Sequence, residues 1–130
     1  MGLAELRVGK AKGKENSSVE TTFEKKGNAL IVSVNGRLDA ITAPDFEAEC
    51  SKRIDQNELF LIADFGELEY ISSAGLRSIL QVAKKLRQRK GDINFCCLSS
   101  MVENVFSISG FTTMFSIHDS LDRALLDFGR

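Results

Sequence analysis

Ser72 and Ser73 stand side by side in the run Asp64-Phe65-Gly66-Glu67-Leu68-Glu69-Tyr70-Ile71-Ser72-Ser73-Ala74-Gly75-Leu76-Arg77, where an apolar stretch gives way to an amphipathic one. A serine hydroxyl at a helix start caps free backbone N–H groups. A phosphate added there meets the same donors and the positive end of the helix dipole. Catalysis by a serine nucleophile needs a base, and the only histidine, His118, lies far along the chain in an expected strand-to-helix turn with no motif tying it to Ser73. The chain has neither a Gly-x-x-x-x-Gly-Lys-Ser/Thr loop nor a Gly-x-Gly-x-x-Gly turn, so no nucleotide cofactor is expected. Glu67 and Glu69 read as solvated carboxylates in a surface loop before the serines. Cys96 and Cys97 are adjacent on an expected strand and should point to opposite faces, and Cys50 belongs to a core stripe, so no metal is expected. From these features no enzyme, no catalytic residue and no cofactor are expected, and an enzyme ranks last among the function classes.

The elements that must position the serines follow from patterning. The 130 residues are 43% hydrophobic and 27% charged with one proline, which fits one soluble domain able to bury a single core. A net charge of −1 gives no reason to expect direct nucleic-acid binding, and no apolar run approaches the roughly 20 residues that span a bilayer. The start lacks the apolar stretch of a signal peptide, and the odd cysteine count fits free thiols, so a cytoplasmic protein is expected. Residues 1–18 are polar and lysine-rich and read as a flexible arm, with the domain occupying 19–130.

Val19 to Lys26 and Ala29 to Asn35, split by Gly27-Asn28, read as a hairpin. Thr42-Ala43-Pro44-Asp45 is a helix start, and Ala43, Phe46, Cys50 and Ile54 then share one face. Leu59 to Phe65 reads as a doubly covered strand. A second helix starts near Ser73, turns Leu76, Ile79, Leu80, Ala83 and Leu86 inward and ends at Gly91. Ile93 to Leu98 is the next strand, Ser99 or Ser100 caps a short helix ended by Gly110, Phe111 to Ile117 is a last strand, and a final helix buries Leu121, Ala124, Leu125 and Phe128. The order β-β-α-β-α-β-α-β-α is an α/β domain with a mixed, mostly parallel sheet of about five strands opened by a hairpin and covered by four helices. Parallel strands put their carboxyl ends on one edge, so the turn Gly36-Arg37-Leu38-Asp39, the pair Ser72-Ser73 and the pair Ser99-Ser100 should line it together.

With the order in place, the segment from Ile62-Ala63-Asp64-Phe65 to Tyr70-Ile71-Ser72-Ser73-Ala74-Gly75-Leu76-Arg77 resembles the signature of the STAS domain family, in particular bacterial anti-sigma factor antagonists. Gly36-Arg37-Leu38-Asp39 resembles the family's Gly-x-Leu-Asp turn, and Phe106-Ser107-Ile108-Ser109-Gly110-Phe111 its late helix-to-strand segment. The resemblance implies a STAS-like fold and a protein that binds an anti-sigma factor with serine kinase activity, frees the sigma factor, and is switched off when that kinase phosphorylates one serine. A serine phosphatase would reset it. The family's phospho-acceptor falls on Ser73, with Ser72 as its rival because this chain has Ser72 where many members have Asp. The partner-binding residues implied are Asp39, Ser72, Ser73, Gly75 and Arg77. The alternative is a STAS scaffold subunit of a lipid-transport or signalling complex that needs no phosphorylation.

A phosphate adds about −1.5 to −2 charges at pH 7, and at an exposed helix N-terminus this is locally favourable by about 0.3 to 1 kcal/mol. Phosphorylation should therefore act between proteins rather than by unfolding the domain, because added charge on a docking face must be desolvated or opposed. Arg77, one helical turn beyond Ser73, would attract the phosphate and Asp39 would repel it.

Overall fold

The computed structural model describes residues 9–11 and 19–128. Gly27, at φ +63°, lets the chain reverse within two residues, and β2 (Val19–Lys26) pairs antiparallel with β3 (Ala29–Leu38) from Val19 opposite Gly36 to Lys26 opposite Ala29. After the hairpin every new pairing is parallel. β4 (Phe60–Asp64) lies beside β3, β6 (Asp92–Cys96) beside β4, and β7 (Ile117–His118) beside β6. The connecting helices are α1 (Ala43–Asp55), α2 (Ser73–Gln88), α3 (Ser100–Ile108), α4 (Phe111–Met114) and α5 (Leu121–Phe128). The expected mixed, mostly parallel α/β architecture is the one found.

Alternation along the strands divides the core in two. Leu30, Val32, Val34, Leu61, Ala63, Ile93 and Phe95 face α1 to α4, whereas Ala29, Ile31, Ile62 and Cys96 face the single helix α5. The larger side holds a chain of rings in which Phe65, Phe95, Phe106, Phe111 and Phe115 meet at centroid separations of 5.1 to 6.3 Å. The α1 stripe is as expected, with Ala43, Phe46, Cys50 and Ile54 buried. On the smaller side Ala124 is buried and Leu121, Leu125 and Phe128 pack around it, while buried Asn94 donates to the Ala124 carbonyl at 3.2 Å and holds α5 to the sheet.

Several expectations need correction. Gly9–Ala11, inside the segment read as an arm, form β1, which pairs antiparallel with β2 from Gly9 opposite Phe23 to Ala11 opposite Thr21; the rest of that segment, and residues 129–130, lie outside the described residues. The stretch after Glu67 is not all loop, because Leu68–Ile71 form β5, parallel to the end of β3. Its burial pattern has Leu68 and Ile71 covered with Glu69 and Tyr70 exposed, which is not a period of two, so alternation gave no sign of it. Phe111 to Ile117 is not one strand. Phe111 and Phe115 are both buried four residues apart, a helical spacing, so α4 fills the first part and only Ile117–His118 join the sheet.

In α2 the inward residue beyond Ile79 is Val82 rather than Leu80, which is exposed because it lies off the stripe of Gly75, Ser78, Ile79, Val82, Ala83 and Leu86. Finally, Cys96 and Cys97 do not diverge. Cys97 leaves the strand at φ +66°, and its sulfur, the Cys96 sulfur and an Asp64 carboxylate oxygen all lie within 4.8 Å of one another.

Candidate functional site

The site begins where β3 changes partner. Its first half pairs with β4, from Leu30 opposite Leu61 to Ser33 opposite Asp64, and its end pairs with β5, with Leu38 opposite Ile71. The register shifts between Gly36 and Arg37, and Gly36 sits at φ +115°, a conformation side-chain-bearing residues rarely adopt. Its N–H donates to the Glu67 carbonyl at 3.1 Å. The segment expected as a turn is thus mostly strand, and only Asp39 onward turns. β5 carries the chain along β3 to the serines.

The turn after β3 is held by two side chains that serve each other. Asp39 Oδ1 accepts from the backbone N–H groups of Ile41 and Thr42 at 3.0 and 3.2 Å, and the Asp39 N–H donates to Thr42 Oγ1 at 2.9 Å. The buried Thr42 hydroxyl in turn donates to the Arg37 carbonyl at 2.8 Å. Thr42 occupies the N-cap of α1 but its side chain makes no cap bond to that helix; its hydroxyl fixes the Asp39 turn. Burial raises the pKa of the Asp39 carboxyl, while hydrogen bonds from Thr42, Ile41 and Arg37 together outweigh that effect and hold it below its ordinary 3.8. Arg37 reaches Asp39 Oδ2 at 3.4 Å and lays its guanidinium 4.4 Å over the Tyr70 ring.

The serines have different roles. Ser72 is the N-cap of α2 in extended backbone, its Oγ accepting from the Gly75 N–H at 3.3 Å and its carbonyl from the Leu76 N–H at 2.9 Å. Its own N–H donates to the Leu38 carbonyl at 3.0 Å, which draws the start of α2 against the end of β3, one residue from Asp39. Ser73, the first residue of the helix, is exposed, and among the described residues its hydroxyl has no hydrogen-bond partner. The N–H groups of the first helical turn point towards it. Gly75 is buried, and a Cβ there would stand 2.5 Å from the Leu38 carbonyl oxygen and 2.8 Å from Ile71 Cγ1. Arg77 is exposed and has no ion-pair partner among the described residues, beside a shallow groove of about 360 Å³ between the starts of α1 and α2 that Ala40, Ala43, Pro44, Ala74 and Gln81 also line.

Asp39, Ser72, Ser73, Gly75 and Arg77 are therefore gathered at the junction of β3, β5 and α2. Ser99 follows β6 on the same edge and caps α3 by accepting from the Val102 N–H at 3.3 Å. Residue types alone did not single out Ile41, two-thirds exposed in the Asp39 turn, or Tyr70, at the rim under Arg37. An apolar residue inside a turn was the available signal for Ile41. Neither side chain belongs to the buried core.

The chain is similar to known proteins in sequence and in fold. It is 39% identical over 110 residues to BtrV of Bordetella bronchiseptica, a candidate anti-sigma factor antagonist, with 85% of this chain and 95% of that protein aligned. Its fold matches an anti-sigma factor antagonist of Mycobacterium paratuberculosis at a TM-score of 0.78 and 22% identity, over 89% of this chain and 97% of that one. It also matches the phosphorylated form of the Bacillus cell fate determinant SpoIIAA at a TM-score of 0.67 and 21% identity, over 85% and 99% of the two chains. The STAS domain model matches residues 20–124, from the first long strand into α5 and across the whole serine site. By sequence and by fold, the chain belongs to the STAS domain family.

Proposed function

We propose that this protein is an anti-sigma factor antagonist whose binding to an anti-sigma factor with serine kinase activity is switched off by phosphorylation of Ser73. The observation that carries the reading is Ser73 itself, exposed and unbonded on the first turn of a helix that Ser72 already caps. The designation of the Bordetella relative and the phosphorylated form of SpoIIAA support it. A serine phosphatase would restore the active form, and the setting would be the cytoplasm; among the described residues no helix is long and apolar enough to cross a membrane.

The docking face is the edge built from the Asp39 turn, Ile41, Tyr70, the serines and Arg77. Ile41 and Tyr70 give it apolar area, and the groove between α1 and α2 gives it relief. Charge added at Ser73 is tolerated by the helix end and opposed at the interface, where an unpaired, desolvated charge costs several kcal/mol.

The test is a phosphosite map after incubation with ATP and the kinase recovered by pull-down from the native host, together with binding of Ser73→Asp and Ser73→Ala. One phosphate on Ser73 is expected, with Ser73→Asp binding at least about tenfold more weakly, or about 1.4 kcal/mol, while its Tm stays within a few degrees. Modification at Ser99 or nowhere, or equal loss of binding and stability, would remove the mechanism. Recovery of transporter components instead of an ATP-binding anti-sigma protein would favour the scaffold alternative.

A further inference from the structure

Away from the serines, the carboxyl ends of β4 and β6 bring together three groups that the switch does not use. Asp64 ends β4, Cys96 ends β6, and the next residue, Cys97, turns back at φ +66°. A side-chain-bearing residue in the left-handed region is held there by its surroundings. Here the Cys97 N–H donates to the His118 carbonyl at 3.1 Å, and the Phe65 N–H donates to the Cys96 carbonyl at 3.1 Å. The turn carries the second thiol to the side of the first, and the two sulfurs and one Asp64 oxygen fall within 4.8 Å of one another.

We propose that Asp64, Cys96 and Cys97 form a binding site for a zinc ion. Two thiolates and a carboxylate are a borderline-soft donor set: the sulfurs disfavour magnesium and calcium, and the carboxylate favours zinc over copper(I). Tetrahedral zinc with Zn–S bonds near 2.3 Å holds its sulfurs about 3.8 Å apart, so a small closing movement brings the three donors into place. Their surroundings suit this. Asp64 Oδ1 accepts from the Gly66 N–H at 3.0 Å, which orients the carboxylate, and among the described residues no cationic side chain pairs with it. Gly66 is exposed, and a Cβ there would press within 3.3 Å of Asp64 Oδ1 and 3.4 Å of Cys97 Cβ, so the glycine keeps the approach open.

Cys96 is fully buried while Asp64 and Cys97 are partly exposed, which gives the ion an entry path and a closed floor. Binding replaces the two S–H bonds with Zn–S bonds and sends two protons to solvent, and the fourth position is left to water. The ion would join the ends of two central strands. It would also fix the turn Phe65–Glu67 that leads into β5 and the serines.

The test uses the full chain, reduced and metal-free, titrated with Co2+ and then Zn2+. Expected are a near-ultraviolet thiolate-to-cobalt band and the visible bands of tetrahedral cobalt saturating at one ion per chain, their loss on adding Zn2+, and a rise in Tm with Zn2+. Because changing groups that merely orient a ligand costs about 10- to 100-fold in metal affinity, Cys97→Ser should lose at least the upper end of that range. Asp64→Asn should weaken binding while keeping the thiolate band. Cys96→Ser is buried and risks misfolding, whereas Cys97→Ser does not bear on the core in the same way. Absence of the thiolate band, or its persistence unchanged in Cys97→Ser, would overturn the site.

Discussion

One methyl group added at Gly75 tests how tightly the serine site is assembled. The Cβ of Gly75→Ala would stand 2.5 Å from the Leu38 carbonyl oxygen and 2.8 Å from Ile71 Cγ1, where ordinary contacts run from 3.4 to 4 Å. The oxygen cannot swing aside as a flexible side chain would, since it belongs to the backbone and accepts the Ser72 N–H at 3.0 Å. The first turn of α2 must withdraw from the end of β3 by about 0.9 Å, an overpacking strain of about 1–3 kcal/mol. Stretching the Ser72–Leu38 bond contributes to that, as much as about 0.5–1.5 kcal/mol if the bond is lost. Alanine within a helix offsets about 0.8–1 kcal/mol. The net loss expected is about 0–2 kcal/mol, a Tm lower by as much as about 8 °C in a domain of this size.

Calorimetry measures that loss, and affinity for the anti-sigma partner, read well below the melting range, measures whether the site has opened. Because the displacement separates Leu38 and Asp39 from Ser72 and Ser73, binding should fall several-fold even where the variant is fully folded. A variant that melts at or above the parent temperature with unchanged affinity would refute the close packing and the role assigned to it.

Three further outcomes follow from neighbouring geometry. Ser72→Ala removes the cap of α2 and should cost about 0.5–2 kcal/mol, whereas Ser73→Ala, exposed and unbonded, should fall within about 0.5 kcal/mol of the parent; denaturant melts compare the two. Asp39 is held below its ordinary 3.8, so its ionised form contributes stability that is present above that value and lost as pH falls through the lower folded-state value; Asp39→Asn should flatten the acid limb of a Tm-against-pH series. Phe106→Ala, which empties the centre of the ring cluster with Phe65, Phe95 and Phe111, should cost about 3–5 kcal/mol in urea unfolding.

The parts of the fold with strong period or punctuation were legible in the sequence. The α1 stripe and the inward face of α5 appear where Ala43, Phe46, Cys50 and Ile54, or Leu121, Ala124 and Leu125, repeat at helical spacing, and the Gly27 turn and the start of α2 appear at the glycine and the serine pair that punctuate the chain. The misreadings lie where backbone pairing or ring packing overrides pattern. β5 is defined by its hydrogen bonding to β3 beyond a register shift, with no alternation of its own, and α4 by the burial of Phe111 and Phe115 against other rings. The same holds at the site. Asp39 and the serine pair were readable as types at an edge, but the bonds that make Thr42 a brace for the turn, and the positive φ that brings Cys97 back to Cys96, are three-dimensional facts that residue type does not encode.

The adjacent serines also bear on why a single hydroxyl would be the one modified. The helix dipole favours an anion at either position, so electrostatics alone does not separate them. The hydrogen bonds do. Ser72 Oγ lies inside the cap, accepting from Gly75, with its backbone tied to Leu38, and a phosphate there would displace the cap and press on the end of β3. Ser73 Oγ leaves the helix from an exposed position, with Arg77 one turn further on and without an ion-pair partner among the described residues. On the proposed reading, the cap serine keeps α2 in register with the sheet in both states. The second serine takes the charge, and the fold that presents it need not change for the docking edge to lose its partner.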